Sequence, residues 1–184
     1  MKTLWGCLGG VMLACHVQAA PVTVVDLAKS EIKFVSKQMN VPVDGVFRKF
    51  DVQVIFDPDK LASSKAQLSV DLGSIDTGST EGDAEVQRKP WFNTKEFPKA
   101  TFVSGAVKSL GGGRYEVSGK LTIKGKAKDV TAPFTAKAVA GGMILEGAFT
   151  LMRSEYGIGD GPWSDPDTVA EEVQVKFKIV ARAK

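Results

Sequence analysis

The side chains that most often carry enzymatic chemistry are nearly absent from this chain. Both cysteines, Cys7 and Cys15, and the single histidine, His16, fall within the first 19 residues. What remains is carboxylates, Arg153 and one glycine-rich loop. Asp160, Asp165 and Asp167 form an acidic cluster of the kind that holds calcium, but the alternating ligands, glycine and terminal Glu of an EF-hand loop are missing. Gly157-Ile158-Gly159-Asp160-Gly161 offers backbone N–H groups for a phosphate; Pro162 removes one donor and no helix pattern starts there, so a tight turn is expected. Asp76, Asp83 and Arg153 can supply a buried carboxylate–guanidinium pair that ties a loop down, and Arg153 can alternatively meet an anionic headgroup. Carboxylates and tyrosine alone can run an isomerase or hydrolase. No paired-carboxylate motif is present to favour one, and no metal or cofactor is called for.

Residues 1–19 read as a secretory signal peptide. Lys2 is the charged start, Leu4–Leu13 the apolar stretch, and Val17-Gln18-Ala19 the cleavage signal. The stretch is shorter than the ~18 residues of a spanning helix. Pro21 disfavours cutting after Ala20. Met12-Leu13-Ala14-Cys15 offers an alternative, a lipid-attachment signal at Cys15. Cleavage after Ala19 leaves residues 20–184 with no thiol and no imidazole, and destines them for the periplasm. Thiol nucleophiles, Ser-His-Asp triads, the common zinc sites and disulfides are then excluded.

Residues 20–184 suit one domain, and a chain of that length buries roughly 70% of its unfolded surface, enough to fold without staples. The net charge is +3 with both signs scattered, and Lys2 contributes to it. Clusters such as Lys124, Lys126 and Lys128 fit solvated strand ends. No basic stripe interleaved with aromatics exists, which argues against nucleic-acid binding.

The dominant period is two. Val173, Val175, Phe177 and Ile179 alternate with polar residues, as do Ala66, Leu68, Val70 and Leu72, and Tyr115, Val117, Gly119, Leu121 and Ile123. Weaker runs at 31–38, 45–56, 100–107, 130–139 and 143–152 bring the total to eight strands. Asp57-Pro58-Asp59, Gly111-Gly112-Gly113, Lys124-Gly125-Lys126 and Gly141-Gly142 supply the turns. Pro133 predicts a bulge or exposed edge. Thr80-Glu81-Gly82-Asp83 has capping-box spacing and predicts a short helix over 81–89, stopped before Pro90.

Eight antiparallel strands joined by short turns close into an up-and-down barrel, all-β apart from the one helix. Such a barrel is filled by side chains or holds one small ligand. Ala100, Ser104, Ala106, Gly119, Ala132, Ala136, Ala138 and Gly147 are small and expected to point inward, leaving room. The candidate lining residues are Phe34, Phe47, Phe50, Trp91, Phe92, Phe97, Phe102, Ala136, Phe149, Ile158 and Trp163, with Arg153 a possible headgroup contact. The same aromatics would equally serve a packed core, and a self-filled structural or interaction barrel is the main alternative.

Phe56-Asp57-Pro58, Ser74-Ile75-Asp76-Thr77-Gly78, Trp91-Phe92, Phe97-Pro98-Lys99-Ala100-Thr101-Phe102, Gly119–Gly125, and Tyr156-Gly157-Ile158-Gly159 with Trp163 occur in this order. In these segments the chain resembles the YceI-like family of bacterial periplasmic proteins, from about Val22 to Ile179. The resemblance implies a lipocalin-like eight-stranded barrel whose lumen takes polyisoprenoids or related amphiphilic lipids, with no catalytic residues and no metal. It also implies a possible quinone-linked role beside cytochrome b561-type membrane proteins. Tyr156 departs from the pattern, since many relatives carry Phe there; its hydroxyl needs a partner if buried.

N-terminal sequencing of the exported protein is expected to read from Ala20. A diacylated Cys15 at the N-terminus would overturn that reading.

Overall fold

The computed structural model describes residues 21–184. The leader expected over residues 1–19, with its cleavage site and Cys15, lies outside the described residues. Eleven strands and one helix follow in order: β1 (Val24–Val25), β2 (Glu31–Gln38), β3 (Val41–Phe47), β4 (Phe50–Ile55), β5 (Lys65–Asp71), β6 (Ile75–Asp76), α1 (Thr80–Val86), β7 (Lys99–Gly111), β8 (Arg114–Ile123), β9 (Lys126–Val139), β10 (Gly142–Met152) and β11 (Glu172–Arg182).

The strands form one antiparallel sheet in the order β4-β5-β7-β8-β9-β10-β11-β2-β3-β6, with β1 added alongside β11. The sheet curls on itself. Its edges come together where the chain turns from β3 into β4 at Arg48-Lys49, and at the bridge of Val22 with Phe56. The fold is the expected all-β, up-and-down shell, with more strands than the expected eight. The run 45–56 is two strands, not one. The backbone N–H of Arg48 donates to Ser74 O at 3.1 Å and that of Lys49 to Ser74 Oγ at 2.9 Å, which turns the chain out of the β2–β3 ladder. The β2–β3 turn is Met39-Asn40, both at positive φ (48° and 63°). Methionine seldom adopts that conformation, so the turn carries no glycine signal.

Two other local expectations change, and the one at Pro133 holds. The helix ends at Val86, and its cap is Ser79, whose Oγ accepts from Gly82 N at 2.9 Å. Asp83 instead accepts from the backbone N–H and hydroxyl of Thr77, at 2.7 and 2.8 Å. Pro133 stands at the expected exposed edge rather than at a bulge. It pairs with Glu116 on β8, while the β9–β10 ladder runs from Gly142/Val139 to Gly147/Phe134 and stops there. Proline has no N–H to continue that ladder, so β10 runs on beside β11 alone. On β7, the register shifts between Ser104 and Ala106. This bulge reverses the alternation, turning Val107 toward the interior and leaving Ala106 exposed.

Two buried clusters close the interior. One contains Val22, Phe56, Phe134, Met143 and Ala181; the other contains Leu72, Leu121, Leu151, Tyr156 and Ile158. In the first, Phe56 meets Tyr115 and Phe134 edge-on, with ring centroids 5.1 and 5.7 Å away. Gly119 and Gly147 do not open space as expected. A Cβ on Gly119 would stand 2.7 Å from the Phe102 ring, and one on Gly147 the same distance from the Phe177 ring. These glycines are covered by neighbouring aromatics. Gly147→Val is therefore expected to destabilise by about 1–3 kcal/mol, the usual cost of overpacking, as read by chemical denaturation.

Candidate functional site

Between the two clusters the shell encloses a cavity of about 710 Å³, within the ~300–1,000 Å³ range of small-molecule pockets. Its wall is built by strand alternation. Phe34 on β2, Phe47 on β3, Phe102 on β7, Phe149 on β10 and Val175 on β11 all face it. Each is only half-buried, although each points inward. Side chains that met across the centre would be sealed off, so the interior is wider than they fill. Phe47 links the wall aromatics, 5.6 Å from Phe34 and 6.4 Å from Phe92 between ring centroids.

Nine of the expected positions line the cavity: Phe34, Phe47, Trp91, Phe92, Phe102, Phe149, Arg153, Ile158 and Trp163. Phe50, Phe97 and Ala136 do not. Phe50 packs between the two core clusters. Phe97 lies against the β8–β9 turn, where a Cβ on Gly125 would come within 3.0 Å of its ring. Ala136 is one inward position beyond Phe134 and packs against the Phe56–Phe134 cluster. Of the small residues expected inside, Ala100 and Ala132 reach the cavity, and Ala138 is exposed. The sequence reading passed over the aliphatic wall, such as Val52, Leu68, Val130 and Val173, although the same period of two marks it. It also passed over the polar lining residues Gln38, Thr77, Ser79, Glu81 and Glu85.

Exposed lining residues show where the cavity reaches solvent. One place is the α1 end, at Gln38, Ser79 and Glu81. The other is the β4–β5 edge, at Ile55, Lys65 and Gln67. At the α1 end, Trp163 Nε1 donates to Glu85 Oε1 at 3.2 Å, and its ring lies 5.5 Å from that of Trp91. The other Glu85 oxygen is 3.0 Å from Arg88. The Nε1 of Trp91 is buried without a hydrogen-bond partner, alone in this among the described side chains.

Arg153 does not form the expected carboxylate pair. It is 1% exposed, and its guanidinium donates only to carbonyls. Nε meets Ala170 O at 3.1 Å. One terminal nitrogen meets Ile158 O and Gly159 O, both at 2.9 Å, and the other meets Val169 O at 2.8 Å and Ser164 O at 3.5 Å. These are all five of its N–H groups. Gly159, at φ 76°, is needed here, because a Cβ would fall 2.4 Å from the guanidinium. Its N–H and that of Asp160 both donate to Pro90 O, at 2.8 and 2.9 Å, so the glycine loop is a turn clamped to the segment after α1. Asp76 pairs instead with exposed Arg48. Asp165 holds its own turn, accepting from Asp167 N at 3.0 Å. Burial, and secondarily the charge of Glu155, push the Tyr156 phenol up to about 12.

These features define a class: a curled antiparallel shell around an apolar lumen, capped by a pinned loop. The chain belongs to the YceI-like family, whose domain matches residues 24–181. It is 37% identical over 86 residues to the UPF0312 protein plu2095 of Photorhabdus laumondii, a match taking in 47% of this chain and 44% of that protein. The crystal structure of Burkholderia cenocepacia BcnA superposes with a TM-score of 0.83 at 48% identity, covering 85% of this chain and 99% of that one. A polyisoprenoid binding domain from Saccharophagus degradans, implicated in plant cell wall breakdown, shares the fold at 18% identity, with a TM-score of 0.67 over 90% of this chain and 99% of its own.

Arg153→Met would leave five buried or half-buried carbonyls without their donor. Unsatisfied buried polar groups cost about 1–3 kcal/mol each, and water would reach some of these. A loss of at least about 3 kcal/mol is expected by denaturant titration, with Arg153→Lys recovering part of it through its three donors.

Proposed function

We propose that this protein is a periplasmic carrier of a long-chain lipid, an isoprenoid, held in the lumen. The observation that carries this reading is the wall: inward-facing Phe, Val and Leu side chains that remain half-exposed around about 710 Å³. Apolar surface of this kind favours an apolar occupant. A self-filled barrel would bury those side chains against one another. The shared fold of the Saccharophagus polyisoprenoid binding domain supports the ligand class. The leader over residues 1–19 supports export. A quinone-linked role beside a cytochrome b561-type membrane protein rests on the family resemblance.

The mechanism is burial. At ~0.8 kcal/mol per CH₂, a chain of about twenty carbons has a gross transfer term on the order of 15 kcal/mol. Lost translational freedom and ordering of the chain offset much of it. Methylenes are alike, so selectivity for chain type must come from lumen length and branch fit. No step in this account breaks or forms a covalent bond.

Ala132, not Ala136, is the small position that faces the lumen, between Val130 and Phe134 on β9. Ala132→Phe is expected to weaken binding of a long prenyl chain at least tenfold while changing denaturation stability by no more than the 1–3 kcal/mol typical of overpacking. Ala136→Phe should have the smaller effect on binding. Mass spectrometry of an organic extract of natively purified protein should show a prenyl lipid. Lipid-free protein that binds no prenyl chain on titration would return the self-filled barrel to first place.

A further inference from the structure

We infer that the lumen selects lipids with an uncharged, hydrogen-bonding headgroup and discriminates against phosphorylated ones. This rests on the lipid-carrier reading and specifies which end of the ligand meets which residues. Gln38, Thr77, Ser79, Glu81 and Glu85 come from three segments, β2, the turn before α1, and α1 itself, and converge where the cavity reaches solvent. The opposite reach of the lumen ends on the Phe56–Tyr115–Phe134 plug. A chain lying along the lumen with its tail against the plug therefore places its head among these five side chains.

The charges at that end are wrong for a phosphate. Glu81 and Glu85 are carboxylates. Arg153 is the one cation lining the cavity there, and all five of its N–H groups are held by backbone carbonyls. Arg88, nearby, is paired to Glu85 at 3.0 Å. A diphosphate at this mouth would face the Glu81 carboxylate and the already paired Glu85 and Arg88, and, among the described residues, no cation lining the cavity there has an N–H left to donate. An alcohol, amide or carbonyl head instead finds the amide of Gln38, the Glu81 carboxylate and the Ser79 O–H; the Ser79 oxygen caps α1 and the Thr77 hydroxyl donates to Asp83. The Trp91–Trp163 pair adds an apolar slab beside it. The competing location is the β4–β5 edge, where Lys65 lines the cavity. There the polar lining comes mainly from β5, and the Ser64 hydroxyl is already engaged with the backbone of Asp57.

The test uses the processed protein and two probes with the same C20 chain, geranylgeraniol and geranylgeranyl diphosphate, titrated against wild type, the double variant Glu81→Gln with Glu85→Gln, and Lys65→Gln. The alcohol is expected to bind at least tenfold more tightly. The double variant should narrow that gap by improving the diphosphate, and Lys65→Gln should leave it unchanged. Diphosphate binding equal to or tighter than the alcohol overturns the inference. Diphosphate binding lost in Lys65→Gln overturns it too, by placing the head at the β4–β5 edge. Failure of both probes to bind overturns the lipid-carrier reading itself, a result distinct from equal binding of the two.

Discussion

Strand number is the constraint on which the rest of this molecule depends. A barrel's diameter grows with the number of strands, and eight already give an interior that side chains can just fill or that holds one small ligand. Here nine of the eleven strands have six residues or more and share one curled sheet. Their inward side chains fall short of the centre. The width of this shell leaves the lumen, with Ala100 and Ala132 among the small residues on its wall. The glycines on the inner face, Gly119 and Gly147, are spent on letting phenylalanine rings lie flat against the strand.

A shell of this width needs its ends closed. One end is sealed by side chains, the Phe56, Tyr115 and Phe134 rings packed with Val22 from the N-terminal segment. The other, apart from the mouth at Gln38, Ser79 and Glu81, is covered by a loop without regular pairing, residues 153–171, which must have its backbone groups satisfied if it is to be buried. Arg153 does this from below. A planar cation with five donors collects carbonyls from residues 158 to 170 into one cluster, and no carboxylate is needed to neutralise it. The end of the β9–β10 ladder at Pro133 serves the same region. Beyond it β10 is free of β9, and the chain after β10 folds over the opening so formed.

The period of two and the glycine turns made the all-β class and most strand positions legible in the sequence. The corner at Arg48-Lys49 was not legible, because the alternation continues through it; Ser74, distant in sequence, makes the turn. The Met39-Asn40 turn lacks the glycine that would mark it. Nine of twelve candidate site residues lie on the cavity because inward aromatics are easy to pick out from alternation. Ala136 fails because position along a strand decides whether an inward side chain meets the lumen or its plug, and sequence period carries no such coordinate; Phe50 packs between the two clusters, and Phe97 lies off the strands against the β8–β9 turn. Arg153 was recognisable as important. Its partners were not, since backbone carbonyls leave no trace in residue type.

The central claim is that the lumen houses an apolar chain running from the Trp91–Trp163 end toward the Phe56–Phe134 plug. The most direct measurement is a crystal structure of protein purified natively, without added lipid or detergent. The account predicts continuous elongated density between these aromatics, in contact with Phe34, Phe102 and Ala132. A lumen collapsed by repacking of Phe47, Phe102 and Phe149 against one another, with no room for a chain, would contradict it.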